Sequence, residues 1–201
     1  MKLFLILFSL LITKNPAINF QTDPFPLGSK LPKSTLKMKE TTGKLISLSD
    51  AKTNNGILVI FGSNNCSYMT KNENRIKDIC LFAQKKNIGI IVLNSNEGKR
   101  ANDDSYQAMQ SYSTAQGYKW PYALDSNNEL ADAFGASRSP ECYLFTGKGI
   151  LVYHGAIDDS PADETRVIRR HLKEAINEML SGKDILIKES RSIGCSIERK
   201  N

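Results

Sequence analysis

The sequence predicts an α/β fold with a mixed central sheet and helices on both faces. Two continuous apolar runs, Gly56–Gly62 and Ile88–Asn94, have the pattern of strands covered on both sides. Segments of helical period separate these runs from each other and from the later strands. A late pair of apolar stretches around Thr146-Gly147-Lys148-Gly149 adds an antiparallel hairpin, which makes the sheet mixed.

The elements are taken in chain order. Residues 22–33 carry Pro24, Pro26 and Pro32 and read as an extended lead-in. Leu36–Lys39 and Lys44–Leu48, joined through Thr41-Thr42-Gly43, predict a short N-terminal hairpin. Ser49-Asp50-Ala51 fits a brief helical turn. After the first buried strand, Ile76, Ile79, Cys80 and Ala83 recur at helical spacing and predict a helix over 72–86. Asp103–Gln116 reads as a polar helix, its Asp103-Asp104-Ser105 cluster favouring the N-terminus and Gly117 the end. Trp120–Leu124 is a short extended piece, and Asn128–Phe134 a short helix closed by Gly135. Cys142–Phe145 and Ile150–Tyr153 form the hairpin. A last helix is expected from Ser160-Pro161 to Gly182, with Ile168, Leu172, Ala175, Ile176 and Met179 on one face. The pair Asp158-Asp159 reads, like Asp103-Asp104, as charge at a helix end.

The 201 residues, 40% of them hydrophobic and 24% charged, suit one well-cored domain and exclude a disordered chain. Leu3–Ile12 is apolar except for Ser9 and comes directly after a single Lys2. That run is shorter than the roughly 20 residues of a membrane span and matches a secretory signal peptide. The expected organisation is therefore a signal peptide over 1–20, a domain over 21–182 and a C-terminal tail over 183–201. The expected location is secreted or periplasmic, with no stable membrane span after cleavage. The charge of +6 is scattered, with no basic stripe interleaved with aromatics, so nucleic-acid binding is not expected.

Four cysteines are too few to build a disulfide scaffold at this size, yet export means that each is weighed as a redox or disulfide residue. Cys80 shares an apolar face with Ile76 and Ala83, and Cys142 sits in a buried-type strand; both read as core. Cys195 lies in the polar tail, where it could resolve an oxidised Cys66 or remain a free surface thiol. Cys66 is different. It comes after the first buried strand through Ser63-Asn64-Asn65 and sits at the start of a helix, where dipole and free N–H groups favour thiolate. His154 and His171 have no Cys or carboxylate at ligand spacing, so neither a metal nor another cofactor is expected.

A strand leading through Ser63-x-x-Cys66 into a helix, with Ser139-Pro140-Glu141 before a later hairpin, resembles the thioredoxin superfamily. The branch it is similar to is the exported, peroxiredoxin-like redoxins. Gly28-Ser29-Lys30-Leu31-Pro32 with Gly43–Asp50 looks like their N-terminal extension. Pro140–Phe145 with Tyr153–Asp159 looks like their cis-Pro strand and acidic loop, and Gly194-Cys195-Ser196-Ile197 like an ending found in that branch. The resemblance implies a thioredoxin-like fold, a cis Ser139–Pro140 bond, and a site made of Cys66, Ser63 and Pro140 with Cys195 as a possible resolving residue. It further implies a protein disulfide or a peroxide as substrate and an external thiol as reductant.

Ser63 stands where a dithiol enzyme has its first Cys, and a hydroxyl cannot form a disulfide. The expected activity is thiol–disulfide exchange through the single Cys66. Ser63-x-x-Cys66 also matches the Thr/Ser-x-x-Cys of peroxiredoxins. Their Pro four residues earlier is Val59 here, however, and their Arg falls at about Pro140, with Arg138 out of register. The alternatives are a thiol peroxidase of peroxiredoxin type, with Cys195 or an outside thiol as resolver, and, from another class, a non-catalytic binding module with a peptide groove around Pro140.

Overall fold

A computed structural model describes residues 25–200. The predicted signal peptide lies outside the described residues. Five strands form the central sheet: β3 (Ile57–Gly62), β4 (Gly89–Asn94), β5 (Tyr122–Leu124), β7 (Glu141–Phe145) and β8 (Leu151–Gly155), in the order β5-β4-β3-β7-β8. β3 runs parallel to β4, and β4 to β5, while β7 and β8 are antiparallel to their neighbours. The sheet is mixed, as the two buried runs and the late hairpin predict.

Alternation along β3 divides the core into two layers. Leu58 and Ile60 belong to a cluster with α2 (Ser67–Lys85), α5 (His171–Leu180) and Met109 of α3 (Tyr106–Ala115). Ile57, Val59 and Phe61 face the other way, toward Leu48 of α1 (Leu48–Ala51) and toward Leu130, Ala131 and Phe134 of α4 (Glu129–Phe134). Both faces are thus covered, which is why these strands read as continuous apolar runs. The N-terminal hairpin pairs β1 (Met38–Lys39) with β2 (Leu45–Ile46), shorter than predicted because Ser47 leaves the strand to cap α1 in a capping box with Asp50.

Local chemistry places several ends where the sequence puts them. The Ser105 hydroxyl accepts from Ala108 N and caps α3, and Gly135 ends α4 at φ 62°.

Two helices begin elsewhere. α2 starts at Ser67, more than a turn before the predicted Asn72, because Met69 continues its buried stripe. Asn72 and Arg75 also lie on that buried face, and their polarity hides the helical period. They are held by the connection after β8: Asn72 Nδ2 donates to Pro161 O at 2.8 Å, and Arg75 Nη1 to both Asp158 oxygens at 2.8 and 2.7 Å.

The last helix starts at His171 and not at Ser160-Pro161. Asp159 accepts from the backbone N–H groups of Ile168 and Arg169, and Ser160 N donates to Asp158, so residues 158–169 fold as a tied loop. Ile168 is consequently 93% exposed, off the buried face that Leu172, Ala175 and Ile176 share. Asp158 and Asp159 are loop-tying carboxylates, which corrects their reading as helix-end charges. No helix among the described residues is long and apolar enough to cross a membrane.

The C-terminal segment lies on the domain. Its strand β9 (Cys195–Ser196) pairs antiparallel with β6 (Arg138–Ser139), the two residues before Pro140.

Candidate functional site

The four residues that the sequence offers as site candidates, Ser63, Cys66, Pro140 and Cys195, meet at the carboxyl end of β3. Cys66 is the N-cap of α2 and is 2% exposed. The Ser139–Pro140 peptide bond is cis, and the Ser139 carbonyl oxygen lies 3.1 Å from Cys66 Sγ. Ser63 is buried, and its hydroxyl sits 3.2 Å from the Ser139 hydroxyl. Cys195 is disulfide-bonded to Cys66, with Cα atoms 5.9 Å apart across 129 positions of sequence. Of the two sequence readings of Cys195, the structure has the bonded one. The tail brings the second sulfur that Ser63 cannot supply.

A polar base under the loop was not legible in the sequence. Asp104, 1% exposed, accepts from Asn64 N at 2.8 Å, Asn94 Nδ2 at 2.6 Å and Asn96 Nδ2 at 2.9 Å. Tyr122 OH donates to Asn64 Oδ1 at 2.8 Å, and burial pushes its phenol well above its ordinary pKa, so it stays a donor. Asp104 therefore fixes the loop before Cys66 from the connection after the neighbouring strand β4, which corrects its reading as a helix-end charge. Its companion Asp103 does sit at the surface, accepting from Asn65 Nδ2.

Glu141 performs the same service on the other side. Its buried carboxylate accepts from Ser137 N and Arg138 N at 2.9 and 3.0 Å, holding the turn that presents Ser139 and Pro140. Glu141 also gives His154 the carboxylate neighbour that sequence spacing lacks, with Nε2 3.5 Å from Oε1. Among the described residues, no group of three or more His, Cys, Asp or Glu side chains is placed to hold a metal ion. Arg138 is exposed and donates from Nη1 to the Ser196 hydroxyl at 2.8 Å, toward the tail.

The remaining thiols have the opposite environment. Cys80 and Cys142 are fully buried, and desolvation raises both thiols well above their ordinary pKa. After mild reduction, iodoacetamide under native conditions is expected to label Cys66 and Cys195, with Cys80 and Cys142 modified only on unfolding. Peptide mapping checks this, and early modification of Cys80 or Cys142 would contradict it.

A family model for redoxins matches residues 26–169, most of the described domain. The chain belongs to the redoxin family. Solved structures agree with this redoxin domain in fold. An uncharacterised conserved protein of Geobacillus kaustophilus is 28% identical, covers 88% of this chain and 93% of its own, and superposes with a TM-score of 0.81. A hypothetical protein of Sinorhizobium meliloti 1021 is 26% identical over 90% of this chain and 98% of its own, also at a TM-score of 0.81. A mutant PrxQ of Xylella fastidiosa, 16% identical over 80% of this chain and 98% of its own, superposes at 0.59 and shares the fold. No curated protein matches this redoxin in sequence.

Proposed function

We propose that this redoxin is a thiol–disulfide exchange protein in which Cys66 attacks and Cys195 resolves. The observation that carries the reading is the Cys66–Cys195 disulfide, formed at a helix N-terminus against the loop of cis Pro140. In the reduced protein, the N-cap position of Cys66 puts its sulfur at the positive end of the α2 dipole, which favours the thiolate. That thiolate attacks one sulfur of a substrate disulfide, forming a mixed disulfide and expelling the other substrate sulfur as thiolate. The Cys195 thiolate then attacks Cys66 Sγ, restores the Cys66–Cys195 bond and releases the second substrate thiol. The substrate gains two electrons, the protein loses two, and an external dithiol reduces it again. In place of exchange through Cys66 alone, as read from the sequence, this proposal pairs Cys66 with Cys195 as its resolver.

Ser63 and Pro140 shape the site in this reading: Ser63 packs its hydroxyl on Ser139, and Pro140 turns the Ser139 carbonyl toward Cys66. A protein disulfide is the proposed substrate. The Leu3–Ile12 run supports export, into a compartment where a disulfide persists.

The test uses reduced protein and glutathione disulfide. Cys66→Ser is expected to abolish exchange, and Cys195→Ser to stop at a stable glutathione adduct on Cys66, seen by intact mass. Exchange undiminished in Cys66→Ser overturns the reading. Hydrogen peroxide consumption well above that of free cysteine would move the function to a thiol peroxidase.

A further inference from the structure

With the tail in place Cys66 is 2% exposed, so no external disulfide reaches its sulfur until residues 194–199 move. The space they would vacate is shaped for a strand. On one side Ile197 N donates to Ser137 O at 3.0 Å, and β9 pairs with β6 so that Cys195 lies opposite Ser139. On the other side Glu198 N donates to Asn96 Oδ1 at 3.0 Å, and the Glu198 carbonyl accepts from Gly98 N at 2.9 Å. Polar groups on both walls would lose their partners together with the tail, and Ile197, 7% exposed, would leave a gap in the apolar cluster of Leu93 and Ala136. The buried Asn96 amide, the exposed backbone groups of Ser137 and Gly98 and the gap left by Ile197 are together satisfied by another extended segment.

We propose that this slot is the recognition site for an extended substrate segment, and that the tail is its built-in mimic. The proposal rests on the exchange reading above. The tail spells out what fits. Gly194 packs so closely on Ser139 that a Cβ there would overlap its carbonyl oxygen, so the residue before the substrate cysteine is glycine. The residue after it faces outward, as Ser196 does. The second residue after it is aliphatic, filling the Ile197 gap, and a basic residue at the fourth matches Arg199, whose Nε donates to Asp132 at 2.9 Å. The substrate class is therefore an extended protein segment of the form Gly-Cys-x-aliphatic-x-basic, its cysteine oxidised. The oxidised cysteine is one half of a disulfide: reduced Cys66 attacks its sulfur as the tail departs, expelling the other sulfur as thiolate, and on the tail's return the Cys195 thiolate attacks Cys66 Sγ and releases the substrate cysteine as thiolate.

The experiment uses full-length Cys195→Ser, reduced, and two synthetic peptides. One has the sequence of residues 193–199, its cysteine joined to 5-thio-2-nitrobenzoate; the other is identical but carries aspartate in place of the isoleucine at 197. Release of thionitrobenzoate reads the attack of Cys66. The isoleucine peptide is expected to react about tenfold faster, a conservative value for one buried aliphatic side chain. Ile197→Asp in the same full-length protein, which weakens the competing tail, is expected to speed that reaction further. Equal rates for the two peptides, with both reacting at Cys66, overturn the slot and leave the exchange reading standing. No reaction of either peptide or of glutathione disulfide overturns both.

Discussion

Asp158→Ala is expected to lower the free energy of unfolding by about 3–5 kcal/mol, the cost of leaving a buried charge without its partner. Arg75 and Asp158 have side chains only 3% exposed, and their ion pair of 2.7 Å is screened from solvent and salt. Arg75 Nη1 donates to both carboxylate oxygens and to Ser160 O, so the alanine variant strands a guanidinium that has lost two of its bonds. Urea denaturation checks the value. A loss below about 1 kcal/mol would mean that water or a neighbour takes over the charge. The paired replacement Arg75→Met with Asp158→Leu is expected to recover most of the loss, since two apolar side chains remove both desolvation penalties. The pair also joins the first half of α2 to the loop after β8. Loosening it frees the helix that carries Cys66 at its start, so Asp158→Ala is expected to slow exchange as well.

The parts of this molecule that were legible in the sequence are those set by local chemistry. β3 and β4 announce themselves because both faces are covered. The Ser105 cap and Gly135 fix their helix ends through their own backbone, and Cys66 is marked by the strand, loop and helix around it. The features that were not legible are set by long-range polar contacts. Asn72 and Arg75 break the apolar stripe of α2 because they serve Pro161 and Asp158, more than eighty residues away. Asp104 looks like ordinary helix-end charge until β4 and the Cys66 loop close over it. Cys195 is the extreme case. Nothing in the period or polarity of the tail says that it returns across 129 positions to lie beside Ser139.

That return predicts the second large effect: reducing the Cys66–Cys195 bond is expected to cost the fold about 4 kcal/mol. The bond closes a loop of 129 positions, and loop-closure entropy in the unfolded chain gives roughly 4–5 kcal/mol for loops near that length. Two features of the folded state pull the other way. A Cys66 thiolate released at the start of α2 lies at the positive end of the helix dipole, which favours the reduced native form. The tail also keeps contacts that do not depend on the disulfide, including the buried Ile197 and the bonds of Arg199 to Asp132 and Ala136 O. These keep the reduced tail near its slot, so the loss falls below the full entropic figure. Urea unfolding with and without dithiothreitol measures it, and Cys195→Ala under oxidising conditions should match the reduced wild type. Oxidised and reduced protein of equal stability would show that residual structure in the unfolded chain already holds the tail near Cys66, and the entropic argument would fail. A loss near 4 kcal/mol would instead give the cycle a direction. The oxidised form is then the more stable one, and return of Cys195 to Cys66 after each attack is downhill for the fold itself.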